Sequence, residues 1–261
     1  MTRVILAMLV AIGAAASVRA DVTVKQTATG KGMGVPAALQ TTMYIKGMKM
    51  RNDSVSGDTT RTTIFDVENQ KMYIFDSKKK EADVWDMGAF GAEMGKSVDT
   101  SEMRTSFKAN GRTKQVAGKT ATGYDMEVSM PTTAGGGGTK MVVTLQGPAW
   151  IVKGAPGTAD YVRFYKGAVE KGWIFSDPRA AKGQPGQAKA TAEMYKQLAA
   201  AGGVPYEQEM EIKMSGDGPV AAMMAKMGGM TMTTTVQSVD TSSVEADLFV
   251  PPPGYKLNLK K

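Results

Sequence analysis

The chain contains no histidine and no cysteine among its 261 residues. Ser-His-Asp and Cys-His nucleophiles, thiol redox chemistry, most zinc sites and the commonest general base are therefore excluded. Two pairs of acids remain as candidates for acid–base chemistry: Asp83 with Asp86, and Asp58 with Asp66. Residues an odd number of positions apart on a strand point to opposite faces, which disfavours the first pair, and both pairs are explained as solvated surface acids. We predict that the protein is not an enzyme and uses no cofactor.

Four methionines in the last third of the chain have a spacing that suits a soft metal ion. Met224, Met227, Met230 and Met232 form the pattern M-x-x-M-x-x-M-x-M. Thioether sulfur suits Cu(I), so such a run could bind this ion without His or Cys. A Gly-Gly pair would end a helix just before Met230, which argues against a helix that aligns the sulfurs. Cu(I) binding at Met224, Met227 and Met230 is therefore an alternative to packing in a lid or a core.

Methionine is also abundant on the apolar faces of four segments, and the chain has 21 methionines in all. Apolar and polar residues alternate along each segment, which is the pattern of a half-buried strand. Methionine is unbranched and polarizable, so a wall lined by it can adapt to an acyl chain. Both a ligand cavity and an ordinary core would use these faces. The candidate ligand-lining residues are Met126, Val128, Met130, Met141, Val143, Leu145, Met210, Ile212, Met214, Met230 and Met232, with Tyr161 and Phe164 from a predicted helix.

Two segments follow the helical period instead. Between residues 158 and 171, apolar side chains recur at i, i+3, i+4, i+7 and i+8, which predicts an amphipathic helix. Residues 188–201 predict a second helix, which ends at a Gly-Gly pair. The predicted helical insert spans about residues 157–202, and we expect any binding surface to lie under these helices and to be lined from Tyr124 onward.

The stretch from Thr42 to Met87 predicts consecutive antiparallel strands. Runs rich in β-branched and aromatic residues recur at about ten-residue spacing, separated by turn-forming residues. No change of composition marks a linker, so residues 21–261 are predicted to form a single domain that is mainly β. The predicted strands in this stretch are Tyr44–Met50, Thr62–Val67, Lys71–Asp76 and Ala82–Met87.

Residues 1–20 have the features of a secretory signal peptide. Arg3 supplies the positive charge, residues 4–12 are apolar, and Val18 and Ala20 occupy the small-residue positions of a cleavage site. We predict cleavage after Ala20 and a periplasmic location. The apolar run is too short to cross a bilayer, so a membrane-spanning protein is not predicted.

The net charge of +7 is spread along the chain, apart from three consecutive lysines at 78–80. These lysines fall where a hairpin turn is predicted. No aromatic residues alternate with a basic stripe, so we predict no nucleic-acid partner.

Four segments of the chain carry a family resemblance. They are MYIKGMKMRND at 43–53, TTIFDVENQKMYIFDSKKKEADVWDM at 62–87, GKTATGYDMEV at 118–128 and EADLFVPPPGYK at 245–256. With them the chain resembles a family of bacterial exported proteins similar to the periplasmic carriers and acceptors of the lipoprotein-localisation type. The resemblance implies a curved antiparallel sheet, a half-open β-barrel, with two to three helices over its mouth and a hydrophobic cavity beneath. No residue matches a functional determinant of the carriers, so a lipoprotein-carrier role is not inherited.

These observations favour a periplasmic protein that binds or carries a hydrophobic ligand, such as a lipid, an acyl chain or a lipoprotein-like molecule. Cu(I) binding at the methionine cluster is one alternative. Another is an envelope protein without a small ligand, which binds a protein partner through exposed strand edges.

Overall fold

A computed structural model describes residues 21–31, 38–97, 102–134, 139–216 and 229–260. The predicted signal peptide lies outside these residues. Twelve strands lie within them. They are Val22–Lys31 (β1), Leu39–Lys46 (β2), Lys49–Ser56 (β3), Thr59–Asp66 (β4), Lys71–Asp76 (β5), Glu81–Asp86 (β6), Arg104–Val116 (β7), Lys119–Ala134 (β8), Thr139–Val152 (β9), Val204–Gly216 (β10), Met230–Asp240 (β11) and Lys256–Lys260 (β12).

The twelve strands form one curved sheet that does not close on itself. Their order is β12-β6-β5-β4-β3-β2-β1-β11-β10-β9-β8-β7. Neighbouring strands are antiparallel, except that β12 runs parallel to β6. The predicted fold class, a mainly β half-open barrel with a few helices, is confirmed.

The predicted strand Tyr44–Met50 is in fact the end of β2, a tight turn and the start of β3. Gly47 lies in this turn with a φ of +58°, and Gly57 lies in the β3–β4 turn with a φ of +60°. Glycine adopts such angles without a steric penalty and so permits two-residue hairpin loops. The turn takes up only Gly47 and Met48, and apolar residues lie on both sides of it. The sequence pattern alone therefore predicted one strand.

Four α-helices lie within the described residues: Met87–Ser97 (α1), Thr158–Glu170 (α2), Pro178–Gly183 (α3) and Pro185–Ala200 (α4). Helix α2 packs against α4 and contacts β2 and β10, while α4 packs across β8 and β9. The two helices thus bridge opposite parts of the curved sheet. We call the face of the sheet that they cover the inner face. Within the described residues, none of the helices has the length and apolar character needed to cross a membrane.

The core lies on both faces of the sheet. On the inner face, one cluster packs α1 and α2 against β2–β6, and a second packs α4 against β8 and β9. On the outer face, Val244 and Phe249 of the C-terminal segment pack against β4, β5 and β6. Polar contacts hold this segment, because Lys46 Nζ donates to the Val244 carbonyl at 2.7 Å and Arg51 donates to the Leu248 carbonyl at 3.0 Å.

Replacement of Phe249 with alanine should destabilise the protein strongly. The ring is 2% exposed and belongs to the outer-face cluster. Removing a buried phenylalanine costs about 3–5 kcal/mol of unfolding free energy. Urea denaturation should show this loss, whereas Val250→Ala, at a neighbouring side chain that is 48% exposed, should change stability by about 0.5 kcal/mol or less. Equal effects of the two substitutions would show that the C-terminal segment does not cover the outer face in solution.

Candidate functional site

A cavity lies between the inner face of the sheet and helices α2 and α4. Its volume is about 190 Å³. Strands β1, β2, β3, β10 and β11 form its floor, and the two helices form its roof. We call this space the mouth cavity, because it occupies the open side of the half-barrel.

The strand register brings the floor residues together. Ala28 on β1 pairs with Leu39 on β2 and with Thr234 on β11, so these three side chains share one face. Met210 on β10 pairs directly with Met232 on β11. Because side chains alternate between faces along a strand, β1, β2, β3 and β11 each contribute every second residue to the floor. On β10, a bulge between Pro205 and Glu207 shifts the alternation.

Three tyrosines form the roof of the mouth cavity. Tyr161 and Tyr165 lie one helical turn apart on α2, with ring centroids 4.7 Å apart. Tyr195 of α4 stacks on Tyr165 at 5.1 Å with an interplanar angle of 12°. Burial raises the pKa of all three hydroxyls. The neighbouring tyrosines raise the pKa of Tyr165 further, whereas for Tyr161 the charge of Tyr195 raises the pKa and a hydrogen bond with Tyr165 lowers it. All three hydroxyls are therefore neutral at physiological pH.

Sulfur atoms contact the polar groups at the cavity. The Tyr165 hydroxyl donates to Met43 Sδ at 3.8 Å and to Met50 Sδ at 3.7 Å. Gln208 Nε2 donates to Met194 Sδ at 3.3 Å. Thioether sulfur is a weak acceptor, so these donors are held less firmly than by oxygen.

Polar side chains also stand on the floor, where a core would have apolar ones. The polar floor residues are Gln26, Thr41, Asn52, Ser54, Gln208 and Thr234. Asn52 Oδ1 is buried and accepts no hydrogen bond from the described protein groups. A buried acceptor without a partner costs free energy. None of the described residues that line the cavity is charged.

Most of the predicted ligand-lining residues lie beside this cavity rather than around it. Five of them are 3% exposed or less and pack beneath Ala190, Met194 and Leu198 of α4: Met126, Val128, Met130, Val143 and Leu145. These side chains form core between α4 and the β8–β9 hairpin. Met141 is also buried, at 4% exposure, and Phe164 is fully buried in the α2 cluster.

Three predicted residues do line the mouth cavity: Tyr161, Met210 and Met232. Ile212, Met214 and Met230 lie farther along the same inner face and are partly buried. The register therefore places the predicted strand residues on one continuous face, divided between core and cavity. Strands β1–β3, which lie before Tyr124, contribute as much of the floor as the later strands do.

Sequence reasoning missed several lining residues, including Asn52, Tyr165, Met194, Tyr195 and Gln208. Tyr165, Met194 and Tyr195 lie on the apolar stripes that the helical period identified. That period does not distinguish residues that pack in a core from residues that line a cavity. Asn52 and Gln208 are polar residues on an inner face, which weakens the alternation that would have marked their strands.

The proposed copper cluster lies largely outside the described residues, which include neither Met224 nor Met227. Met230 and Met232 lie two positions apart on β11, so both point to the inner face. Cu(I) binding stays a prediction. Within the described ranges, no three acidic side chains converge to form a metal site.

The two acid pairs considered for catalysis have structural contacts. Asp83 pairs with Arg179 and with Lys260, each at 3.2 Å. Asp86 accepts a hydrogen bond from the backbone of Ala89 at the start of α1, and Asp58 pairs with Lys78 at 2.8 Å. Asp66 pairs with Lys49 at 3.0 Å. The absence of enzymatic activity stays a prediction.

Comparison with known proteins adds little. No protein-family model and no curated protein matches the chain. A solved structure titled "Structure of PNGF-II in C2 space group" is similar at 9% identity and a TM-score of 0.33. The similarity covers 92% of this chain and 31% of that one, so this chain spans about a third of that protein. A likeness this weak carries no argument.

The buried tyrosines should make the protein less stable at high pH. An unfolded tyrosine releases its proton near pH 10, whereas burial holds the pKa of folded Tyr165 above that value. The tyrosine contribution to stability is therefore complete below about pH 10, and it is lost as pH rises above that value. The expected slope is about 1.4 kcal/mol per pH unit for each tyrosine that stays protonated.

Urea denaturation between about pH 10 and pH 11.5 tests this expectation. Tyr165→Phe removes one titrating group, so the fall in unfolding free energy should become shallower by about 1.4 kcal/mol per pH unit. The control Phe164→Leu removes a buried ring that does not titrate, and it should lower stability without changing the slope. An unchanged slope in Tyr165→Phe would contradict the buried position of this hydroxyl.

Proposed function

We propose that the protein binds or carries a hydrophobic ligand, such as a lipid or an acyl chain, in the mouth cavity. The observation that supports this proposal is a cavity of about 190 Å³ beneath two helices at the open side of a half-barrel. Its position is the one that the resemblance to lipoprotein-localisation proteins leads us to expect. The signal-peptide pattern of residues 1–20 supports a periplasmic location as part of this proposal.

The cavity wall is made of side chains that can change shape. Met43, Met194, Met210 and Met232 all line it. Methionine has three rotatable bonds and fills irregular spaces, so these side chains can move aside for a longer ligand. The cavity is smaller than the roughly 300–1,000 Å³ of common ligand pockets. A long acyl chain would therefore enter with movement of this methionine wall.

Protein purified from its own envelope fraction provides the first test. Native mass spectrometry and solvent extraction should detect a co-purifying lipid or acyl compound. The delipidated protein should then bind the neutral apolar dye N-phenyl-1-naphthylamine with a rise in fluorescence. Protein that is reproducibly free of ligand and does not bind the dye would overturn the proposed function.

A larger side chain on the cavity floor should weaken binding of the dye. Ala28 is buried on the cavity floor, so Ala28→Leu adds three carbon atoms to the space a ligand would occupy. We expect the affinity for the dye to fall about tenfold, which corresponds to about 1.4 kcal/mol. The unfolding free energy should rise by up to roughly 2 kcal/mol, because the added carbons leave water and pack against the methionine and tyrosine side chains of the cavity.

The matched control is Thr29→Leu on the same strand. Thr29 is exposed and points to the opposite face of the sheet from Ala28. Dye affinity and stability should both stay near those of the natural protein, within about 0.5 kcal/mol. Dye binding that is equal in all three proteins would place the binding site elsewhere.

A protein partner is the second candidate function, and the edge strand β12 favours it. Among the described strands, β12 has β6 as its one neighbour, so its other edge is unpaired. Leu257 is 54% exposed and Leu259 is 83% exposed, on the face opposite Lys256 and Lys260. An exposed edge with two leucines can pair with an extended segment of another protein.

The two lysines of β12 favour an acidic segment over a second copy of this strand, and both also pair with β6, Lys256 with Glu81 at 3.9 Å and Lys260 with Asp83 at 3.2 Å. In an antiparallel pairing of two copies centred on Asn258, Lys256 would lie opposite Lys260, and like charges opposite each other are unfavourable. A segment that alternates glutamate with leucine avoids this repulsion.

A Glu-Leu-Glu-Leu-Glu peptide tests whether the unpaired edge of β12 binds an acidic segment. It should bind the protein more tightly than a Lys-Leu-Lys-Leu-Lys peptide in fluorescence anisotropy, and Leu259→Asp should weaken the acidic peptide. Val250→Asp, a substitution at another exposed apolar residue away from β12, should leave peptide binding unchanged. Equal binding of the two peptides, or none by the acidic peptide, would reject this interface.

A further inference from the structure

The chemistry of the mouth cavity restricts the ligands that it can hold. The described residues that line it supply amides, hydroxyls, thioethers and aromatic rings, but no charged side chain. A charge that leaves water without a partner loses hydration free energy that nothing in the cavity replaces. A carboxylate or an ammonium group would therefore be excluded from this space.

The roof presents neutral groups. The hydroxyls of Tyr161, Tyr165 and Tyr195 are protonated at physiological pH, as tyrosine is in water, and burial raises their pKa further. The Tyr165 hydroxyl is directed to two sulfur atoms, which are weak acceptors, and it also interacts with the Tyr161 hydroxyl. An oxygen atom of a ligand would be a better acceptor for it.

The floor presents a buried amide that lacks a partner. Asn52 lines the cavity on β3, paired with Met43 of β2, and its Oδ1 receives no hydrogen bond from the described protein groups. The terminal torsion of an asparagine is broad, so the amide can rotate toward a ligand. A hydrogen bond from a ligand to Asn52 would remove the cost of the unpaired acceptor.

We propose that the ligand is an uncharged amphiphile with a hydroxyl group at one end of a short apolar chain, and that Asn52 binds the hydroxyl. This inference rests on the proposed function and assigns its ligand class. A hydroxyl both donates and accepts, so it pairs with Asn52 and with a tyrosine at the same time. The apolar chain lies against Met194, Met210 and Met232.

The cavity volume sets the length of a suitable test ligand. A volume of about 190 Å³ holds roughly six groups the size of a water molecule, each about 30 Å³. An eight-carbon chain fills this space with a small movement of the methionine wall. Octanol, octanoate and octylamine share this chain and differ in the charge of the head group.

Isothermal titration calorimetry at about pH 8 separates the three compounds, because octanoate is then ionised and octylamine protonated. Octanol should bind, whereas octanoate and octylammonium should bind at least about a hundredfold more weakly, because their charges would be buried without partners. Equal binding of octanoate or octylammonium overturns this inference and leaves the proposed function standing. Failure of all three compounds and of N-phenyl-1-naphthylamine to bind overturns both.

A variant tests the role of Asn52. Asn52→Leu keeps the size of the side chain and removes its hydrogen-bonding groups. Octanol affinity should fall about tenfold, while the affinity for N-phenyl-1-naphthylamine, which has no hydroxyl group, should be unchanged. Unchanged dye binding shows that the cavity is intact, so a loss specific to octanol does not arise from misfolding.

The matched control is Asn258→Leu, the same substitution on β12 at an amide that pairs with Glu81. It should leave the affinities for octanol and the dye unchanged. An Asn52→Leu protein that binds octanol as tightly as the natural protein would overturn the assignment of the hydroxyl to Asn52.

Discussion

The structure depends on covering an apolar face that the sheet cannot cover by itself. A closed barrel buries its interior within its own wall, but these twelve strands curve without closing, with β12 and β7 at separate edges. The inner face must therefore be buried by other elements. Helices α2 and α4 do this by packing against each other and against strands from both halves of the sheet. The apolar stripe of α2, from Tyr161 to Ala168, is buried in that contact.

Coverage of the inner face is uneven, and this unevenness produces the cavity. Where α4 lies on β8 and β9, methionine, valine and leucine side chains pack into one buried cluster. Over β1–β3 the inner face carries Gln26, Thr41 and Asn52 in place of apolar residues. Polar side chains there cannot pack as tightly against aromatic rings without losing hydrogen bonds. The cavity therefore lies where polar side chains of the floor face the aromatic rings of the roof.

Local sequence patterns predicted the strands and helices better than they predicted which of these elements pack against each other. The alternation of Met126, Val128 and Met130 is contained in one strand, so it identifies a buried face from the sequence alone. Whether that face is core or cavity depends on where α4 crosses it, which is a contact between residues far apart in the chain. The polar inner face at Asn52 gave no signal, because a polar residue in a strand normally indicates solvent. Phe249 likewise covers the outer face through a tertiary contact, and no periodic pattern in the sequence indicates that contact.

The sulfur contacts of Tyr165 relate the packing of the roof to the proposed ligand binding. A core that held the Tyr165 hydroxyl with a carbonyl oxygen would be more stable, because oxygen accepts a hydrogen bond better than thioether sulfur does. Met43 and Met50 instead give this hydroxyl two weak partners, at 3.8 and 3.7 Å. Under the proposed function, a ligand oxygen would displace these sulfurs at a small cost, and the sulfurs would accept the hydroxyl again in the empty cavity. The flexible methionine side chains would then fill the space that the ligand had occupied.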